Sequence, residues 1–155
     1  MYFEGNLDGN GLRICIVMSR FYEEVANVML PAVQDELQRL SVDDVDVTVV
    51  SVPGALEMPL VLQAIAQSGK VDALIALGSV MRGETYHFEV VANGACQGIM
   101  DVQLKTGVPI INGVLTCENA EQVRARMAQK GTDCATIAVE MARLQVNIRK
   151  QLDQL

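Results

Sequence analysis

The sequence predicts an α/β protein: a three-layer α/β/α sandwich around a four-stranded parallel sheet, led by a short N-terminal strand or arm over residues 1–11. Two observations point there. Short, nearly all-apolar runs recur along the chain, and each is followed by a segment whose apolar residues fall at the spacings of three and four that make one helical face. Strands that apolar must be covered on both sides, which is the condition of parallel sheets wrapped by helices.

The first buried strand is LRICIVMS, Leu12–Ser19. The segment after it, FYEEVANVMLPAVQDELQRL, carries a helical apolar face that Pro31 interrupts. Val45–Val52 is β-branched and stops at Pro53–Gly54, after which LEMPLVLQAIAQSG reads as a helix ended by Gly69. The third strand lies in DALIALGSV, and the helix behind it is marked by Phe88, Val91, Ala95, Ile99 and Val102. VPIINGVLT is the fourth strand. The remainder is expected to split into a short helix near Asn119–Ala128 and a longer one from about Asp133. Asn119 and Gln122 form a capping box on the first, and the stripe of the second is Cys134, Ile137, Ala138, Met141, Leu144 and Ile148. No repeat, low-complexity tract or linker breaks the pattern, so residues 1–155 are expected to form one domain.

At 155 residues the chain can bury roughly 70% of the surface that its unfolded form exposes, enough for one sizeable core. Half of the residues are hydrophobic, yet no apolar run reaches the ~20 residues needed to cross a bilayer. The start, MYFEGNLDGNGLRI, lacks the basic residues and apolar block of a secretory signal, so the expectation is a soluble, cytoplasmic protein. A net charge of -7 disfavours nucleic acid and anionic membranes as partners. The four cysteines contain no CxxC pair, and with one histidine they make a poor zinc set; they read as reduced, mostly buried thiols.

In an open parallel sheet the ligand site forms outside the carboxyl ends of the strands. The candidates are therefore the post-strand segments SRFYE, VPGALE, GSVMRGETYH and TCEN. GNLDGNG is glycine-rich but precedes the first strand, so it cannot be a dinucleotide cradle, and there is no Walker sequence. Ser19 and Arg20 stand where a phosphoacceptor protein needs clustered carboxylates. After the third strand, Gly83 permits close backbone approach, and Glu84 and Thr85 lie where a helix begins, so their N–H groups can hold a phosphate. The Glu84 carboxylate must then face elsewhere.

His87, the only histidine, follows on the first helical turn. It is either a core group satisfied by backbone or a proton carrier, since an imidazole both gives and takes protons near neutral pH. A glycine turn at a strand's carboxyl end favours the second reading. Arg82 either balances Glu84 or forms a structural ion pair; Arg124, Arg126 and Lys130, taken alone, are a solvated basic face. Phe21 suits stacking on a heterocycle or plugging the core. Behind the Pro53–Gly54 turn, Ala55 and Leu56 offer backbone groups to a planar ligand's edge, and Glu57 can cap the helix or bond the ligand.

EGNLDGNGLRICIV, VPGALEMPL, ALGSVMRGETYHFEVVANG, NGVLTCENAEQVRAR and KGTDCATIAVEMARL resemble, in order, the motifs of the 6,7-dimethyl-8-ribityllumazine synthase family over nearly the whole chain. The resemblance implies a flavodoxin-like sandwich with active sites between adjacent subunits of a pentamer. It implies condensation of 5-amino-6-(D-ribitylamino)uracil with 3,4-dihydroxy-2-butanone 4-phosphate, the penultimate step of riboflavin synthesis, without metal or cofactor. Phe21 would stack on the pyrimidine, Ala55, Leu56 and Glu57 would contact the ribityl chain and polar edges, and Ser79, Val80 and Met81 would complete the pocket. Glu84 and Thr85 would bind phosphate, joined by Arg126 from a neighbouring subunit, and His87 would transfer protons.

The chain departs from the family pattern at Tyr22, where many members have asparagine, and at Asn112, where many contribute an aromatic ring to the neighbour's pyrimidine pocket. RMAQKG is shorter than the glycine-lysine-glycine-asparagine loop of shell-forming members, which favours a pentamer over a sixty-subunit shell and leaves decamers or shells open. Riboflavin synthase is an expected partner, and Tyr2 and Phe3 of the arm are expected to meet a neighbouring subunit. The alternatives are an archaeal-type riboflavin synthase, related in fold, against which the intact RGETYHF and VPGALE argue, and a non-catalytic flavin- or pterin-binding shell that keeps the pocket.

Overall fold

A computed structural model describes residues 1–155. Four parallel strands, β1 (Ile14–Ser19), β2 (Val47–Val52), β3 (Ala73–Met81) and β4 (Ile110–Cys117), form one sheet in the order β2-β1-β3-β4. Ile14 stands opposite Val47 on one side and Ala73 on the other, and Leu74 stands opposite Ile110. The chain thus steps from β1 outward to β2, then returns past β1 to β3. The connection after β1 runs through a helix on one face toward β2, and that after β3 runs through a helix on the other face toward β4, so a crevice opens between the carboxyl ends of β1 and β3.

The predicted strands are all present, each trimmed or shifted by one or two residues. Alternation along them divides the core in two. Ile14, Ile16 and Met18 face α1 (Leu30–Arg39) and α4 (Ala120–Leu152) with Ile75, Leu77, Met127 and Ala138. Cys15 and Val17 face α2 (Met58–Gln67) and α3 (His87–Thr106) with Leu74, Leu62 and Ile99. β2, at the sheet's edge, departs from the expected burial: Thr48, Val49 and Ser51 are exposed.

Pro31 does not end its helix. A widened π turn at Val25–Met29 leads straight into α1, and the Leu30 N–H bonds to the Val25 carbonyl five residues back. The wider turn leaves room where the proline ring would otherwise strike the preceding turn's carbonyl. α2 stops as expected, with Gly69 in the left-handed region at φ 70°.

The predicted split of the C-terminal segment is wrong: Ala120–Leu152 is one continuous helix of 33 residues. The sequence around Gly131 resembles a break because an interior glycine costs helix stability. Here Gly131 is buried, and a Cβ on it would lie 2.7 Å from the Met29 carbonyl oxygen and 3.0 Å from the Ala32 Cβ. It is the point at which the π turn and α1 press against α4. At the helix start Asn119 Oδ1 accepts from the Gln122 N–H at 2.9 Å, and Gln122 Oε1 accepts from the Glu118 N–H at 2.8 Å, one residue before the expected return bond.

Residues 1–9 form an arm without strand structure. Arg143 of α4 donates to the carbonyls of Asp8 and Asn10, both at 2.6 Å, and Asn147 donates to that of Glu4 at 3.0 Å. The arm is therefore held by its backbone to its own chain, while Met1 and Tyr2 stay exposed.

Gly131→Ala separates two opposed effects. Helix propensity favours alanine by up to ~1 kcal/mol, whereas overpacking against α1 costs about 1–3 kcal/mol. Contact with backbone, which cannot swing aside, decides the sign. Thermal unfolding should show a lower Tm for the variant; a higher Tm would mean that α1 and α4 are not in this contact.

Candidate active site

A cavity of about 480 Å³ opens in the crevice at the carboxyl ends of β1 and β3. That volume is within the range of small-molecule sites. Its walls are the segments after β1, β2 and β3, released where each strand's hydrogen bonds end; TCEN, at the end of β4, does not line it.

After β1, Phe21 and Tyr22 form one wall, their rings edge to face with centroids 4.9 Å apart. Phe21 is 73% exposed, so it plugs no core, and its ring face is free for stacking. After β2, the Pro53–Gly54 turn leads into a 3₁₀ turn, Ala55–Glu57, whose Ala55 is buried while Leu56 and Glu57 are exposed. Glu57 occupies the N-cap position of α2 without capping it; its carboxylate lies beside Gly54, where a Cβ would come within 3.0 Å of Oε2.

The floor is the end of β3. Ser79 and Val80 are buried and Met81 is partly so. Ser79 Oγ is buried without a hydrogen-bond partner, a state that costs free energy unless something else supplies one. A ligand's polar edge in the cavity can do so.

The last wall is the β3–α3 connection. His87 is the first residue of α3 and its side chain is exposed at the cavity. Its imidazole has no hydrogen-bond partner in the chain, while its backbone N–H bonds to Thr85 Oγ1 at 3.4 Å. The reading of His87 as a core histidine satisfied by backbone is thereby excluded. Gly83 and Thr85 border the cavity, whereas Glu84 between them is exposed and outside its lining. A Cβ on Gly83 would meet no protein atom within 4 Å, so the free space there is space for a ligand.

Arg82 does not balance Glu84. Its Nε donates to Glu118 Oε2 at 2.6 Å, its Nη1 donates to Glu89 Oε1, and its guanidinium carbon lies 4.5 Å from the centre of the Phe88 ring. Hydrogen bonding from Arg82 holds the Glu89 carboxyl below the usual range for glutamate.

Two more expected residues, besides Glu84, lie outside the cavity. Asn112 is on β4, its Oδ1 accepting from the Val114 N–H at 2.9 Å and its Nδ2 donating to Cys96 Sγ at 3.4 Å. Arg126 is exposed on α4 and donates to the Gln122 carbonyl of its own helix at 2.9 Å. Conversely Phe88 and Val91 line the cavity. Their helical spacing marked them only as core, and the adjacency of Phe88 to His87 was the available signal. No three metal-ligating side chains gather, and no helix is long and apolar enough to cross a membrane.

Comparison with known proteins matches residues 11–146 to the family described as 6,7-dimethyl-8-ribityllumazine synthase. A protein of that name from Azoarcus sp. (strain BH72) is 58% identical over 142 residues, covering 92% of this chain and 91% of its own. Those of Paraburkholderia phymatum and Burkholderia multivorans are each 57% identical, covering 97% and 99% of this chain and 87% of theirs.

Burial pushes the thiols of Cys15 and Cys134 up to about 11. At pH 8 only about one in a thousand of each is thiolate, the reactive form. Titration of the native protein with a thiol reagent should leave both unmodified until denaturant is added, with Cys96, the least buried, reacting first. Prompt reaction of all four would contradict this packing.

Proposed function

The chain belongs to the 6,7-dimethyl-8-ribityllumazine synthase family, and we infer that it condenses 5-amino-6-(D-ribitylamino)uracil with 3,4-dihydroxy-2-butanone 4-phosphate, releasing phosphate and water. The observation that carries this reading is the convergence on one cavity of an exposed ring, Phe21, an unpartnered hydroxyl, Ser79, and a free imidazole, His87.

In the proposed site the pyrimidine stacks on Phe21 over the end of β3. Its polar edges meet the backbone of Val80 and Met81 and the Ser79 hydroxyl, and the ribityl chain runs along Ala55, Leu56 and Glu57. The phosphate of the second substrate occupies the open space at Gly83, held by the backbone of Glu84 and the Thr85 hydroxyl at the N-terminal end of α3, where the helix dipole favours an anion. The amine attacks the ketone and expels water to form an imine, phosphate leaves, the resulting enol becomes a carbonyl, and ring closure onto it by the ribitylamino nitrogen expels a second water. Each step moves protons, and His87 stands where one group can relay them. Fixing two reactive substrates side by side supplies much of the remaining acceleration.

The cavity is open on the side of Phe21 and Leu56, which stay 73% and 45% exposed. Arg126 lies outside it in its own chain. Both facts support a site completed by a neighbouring copy, which brings Arg126 to the phosphate and Asn112 to the pyrimidine side. The reading is of a cytoplasmic homopentamer, with riboflavin synthase as an expected partner.

With both substrates, the purified protein should release phosphate and form a fluorescent lumazine; failure to do so refutes the assignment. His87→Ala should lower kcat by roughly 10²-fold, the contribution of one proton-transfer group, without abolishing turnover. Arg126→Ala should instead raise KM for the phosphate substrate by about 10- to 100-fold, as expected for a hydrogen bond to a charged group. Normal turnover by the His87 variant would remove that residue from the mechanism.

A further inference from the structure

The connection that carries the phosphate and proton-transfer groups, residues 82–86, is almost free of internal bonds. Between Arg82 and His87, the start of α3, the polar contacts of residues 83–86 are the 3.4 Å bond from the His87 N–H to Thr85 and the bonds from the Glu89 and Val90 N–H groups to the Tyr86 carbonyl at 3.0 and 3.3 Å. Gly83, Glu84, Thr85 and Tyr86 are all exposed. Such a segment does not by itself fix an imidazole to the tolerance that catalysis demands.

Arg82 supplies what the segment lacks. Its own backbone is fixed, because its N–H bonds to the Cys117 carbonyl at 3.0 Å and so extends the β3–β4 ladder one residue beyond β3. From that anchor the side chain reaches three places: Glu89 on the first turn of α3, Glu118 just before the cap of α4, and the face of Phe88. The fork of a guanidinium suits two carboxylates at once, and its flat face suits the ring.

Successive helical residues turn by about 100°, so Glu89 stands on roughly the far side of the turn from His87. The clamp grips one side of the turn and leaves the imidazole facing the cavity. The Oε2 atom of Glu89 is buried without a partner, so Arg82 is the one cation holding that carboxylate. The ion pairs are partly solvated, at 39% side-chain exposure for Arg82, and pairs of that kind add little to stability. Their yield is geometric.

We propose that Arg82 is a positioning residue for the condensation, locking the first turn of α3, and with it His87, to the end of β3 and the start of α4. The proposal rests on the reading of His87 as the proton carrier.

The test is steady-state kinetics with both substrates on Arg82→Met, Arg82→Lys, His87→Ala and the Arg82→Met/His87→Ala pair, each checked for native circular dichroism. Arg82→Met should lower kcat by about 10- to 100-fold, the scale of a misplaced catalytic group, while KM for either substrate moves far less. Lysine, a point charge without the fork, should restore only part of the loss. On the His87→Ala background the Arg82 effect should shrink to within about threefold, because residues that act as a unit are not additive. Should Arg82→Met fail to fold, Glu118→Gln takes its place and is expected to lower kcat less, again with no further loss on the His87→Ala background. A native Arg82→Met protein with normal kcat overturns the proposal alone, as does a full Arg82 loss on top of His87→Ala. Normal turnover by His87→Ala overturns the reading of His87 and the proposal together.

Discussion

β1 is hydrogen-bonded on both sides, to β2 and to β3, and buried on both faces. Everything else depends on that. With β2 on one side of it and β3 on the other, the chain leaves β1 toward β2 and leaves β3 toward β4, in opposite directions, and the crevice between the two is unavoidable. The fold creates the cavity before any side chain is specified, and the sequence then furnishes it: Phe21 where β1 ends, the Ala55 turn where β2 ends, and His87 after β3.

The division of labour between sheet and connections follows from energetics. The inner strands β1 and β3 are buried, mostly apolar elements with little latitude, while most of the post-strand residues that line the cavity are exposed. Chemistry needs free polar groups such as the Ser79 hydroxyl and the His87 imidazole, and these are the groups that a stable core would satisfy or exclude. Arg82 reconciles the two demands, reaching from the last rung of the sheet to the first turn of α3 without closing the cavity.

The fold was legible because period two and period 3.6 alternate cleanly, and each apolar run is bounded by glycine, proline or a capping residue. The failures have physical causes. α4 runs through Gly131 because that glycine serves a contact with α1, more than a hundred residues earlier in the chain, and sequence order does not reveal such contacts. Pro31 is absorbed by a π turn, a local widening with no sequence marker of its own. In the site, positions at strand ends could be read directly, which is why Phe21, Ala55 and His87 converge as expected. The choice between Glu84 and the pair Glu89 and Glu118 as partners of Arg82 could not: Glu84 is two residues away in sequence, whereas Glu89 lies on the next helix and Glu118 beyond that helix and a strand. Asn112 and Arg126 were recognised by resemblance alone, and their separation from the cavity of their own chain fits a role in another's.

The proposed sharing of the site between neighbouring copies is tested by mixed assemblies. Co-expressing His87→Ala and Arg126→Ala subunits creates some sites in which an intact His87 meets an intact Arg126 from the neighbouring chain. Turnover of the mixed protein, at subsaturating phosphate substrate, should exceed that of either variant alone. If both groups served a site within one chain, every site would carry one defect, and turnover no greater than that of the better variant would contradict the account.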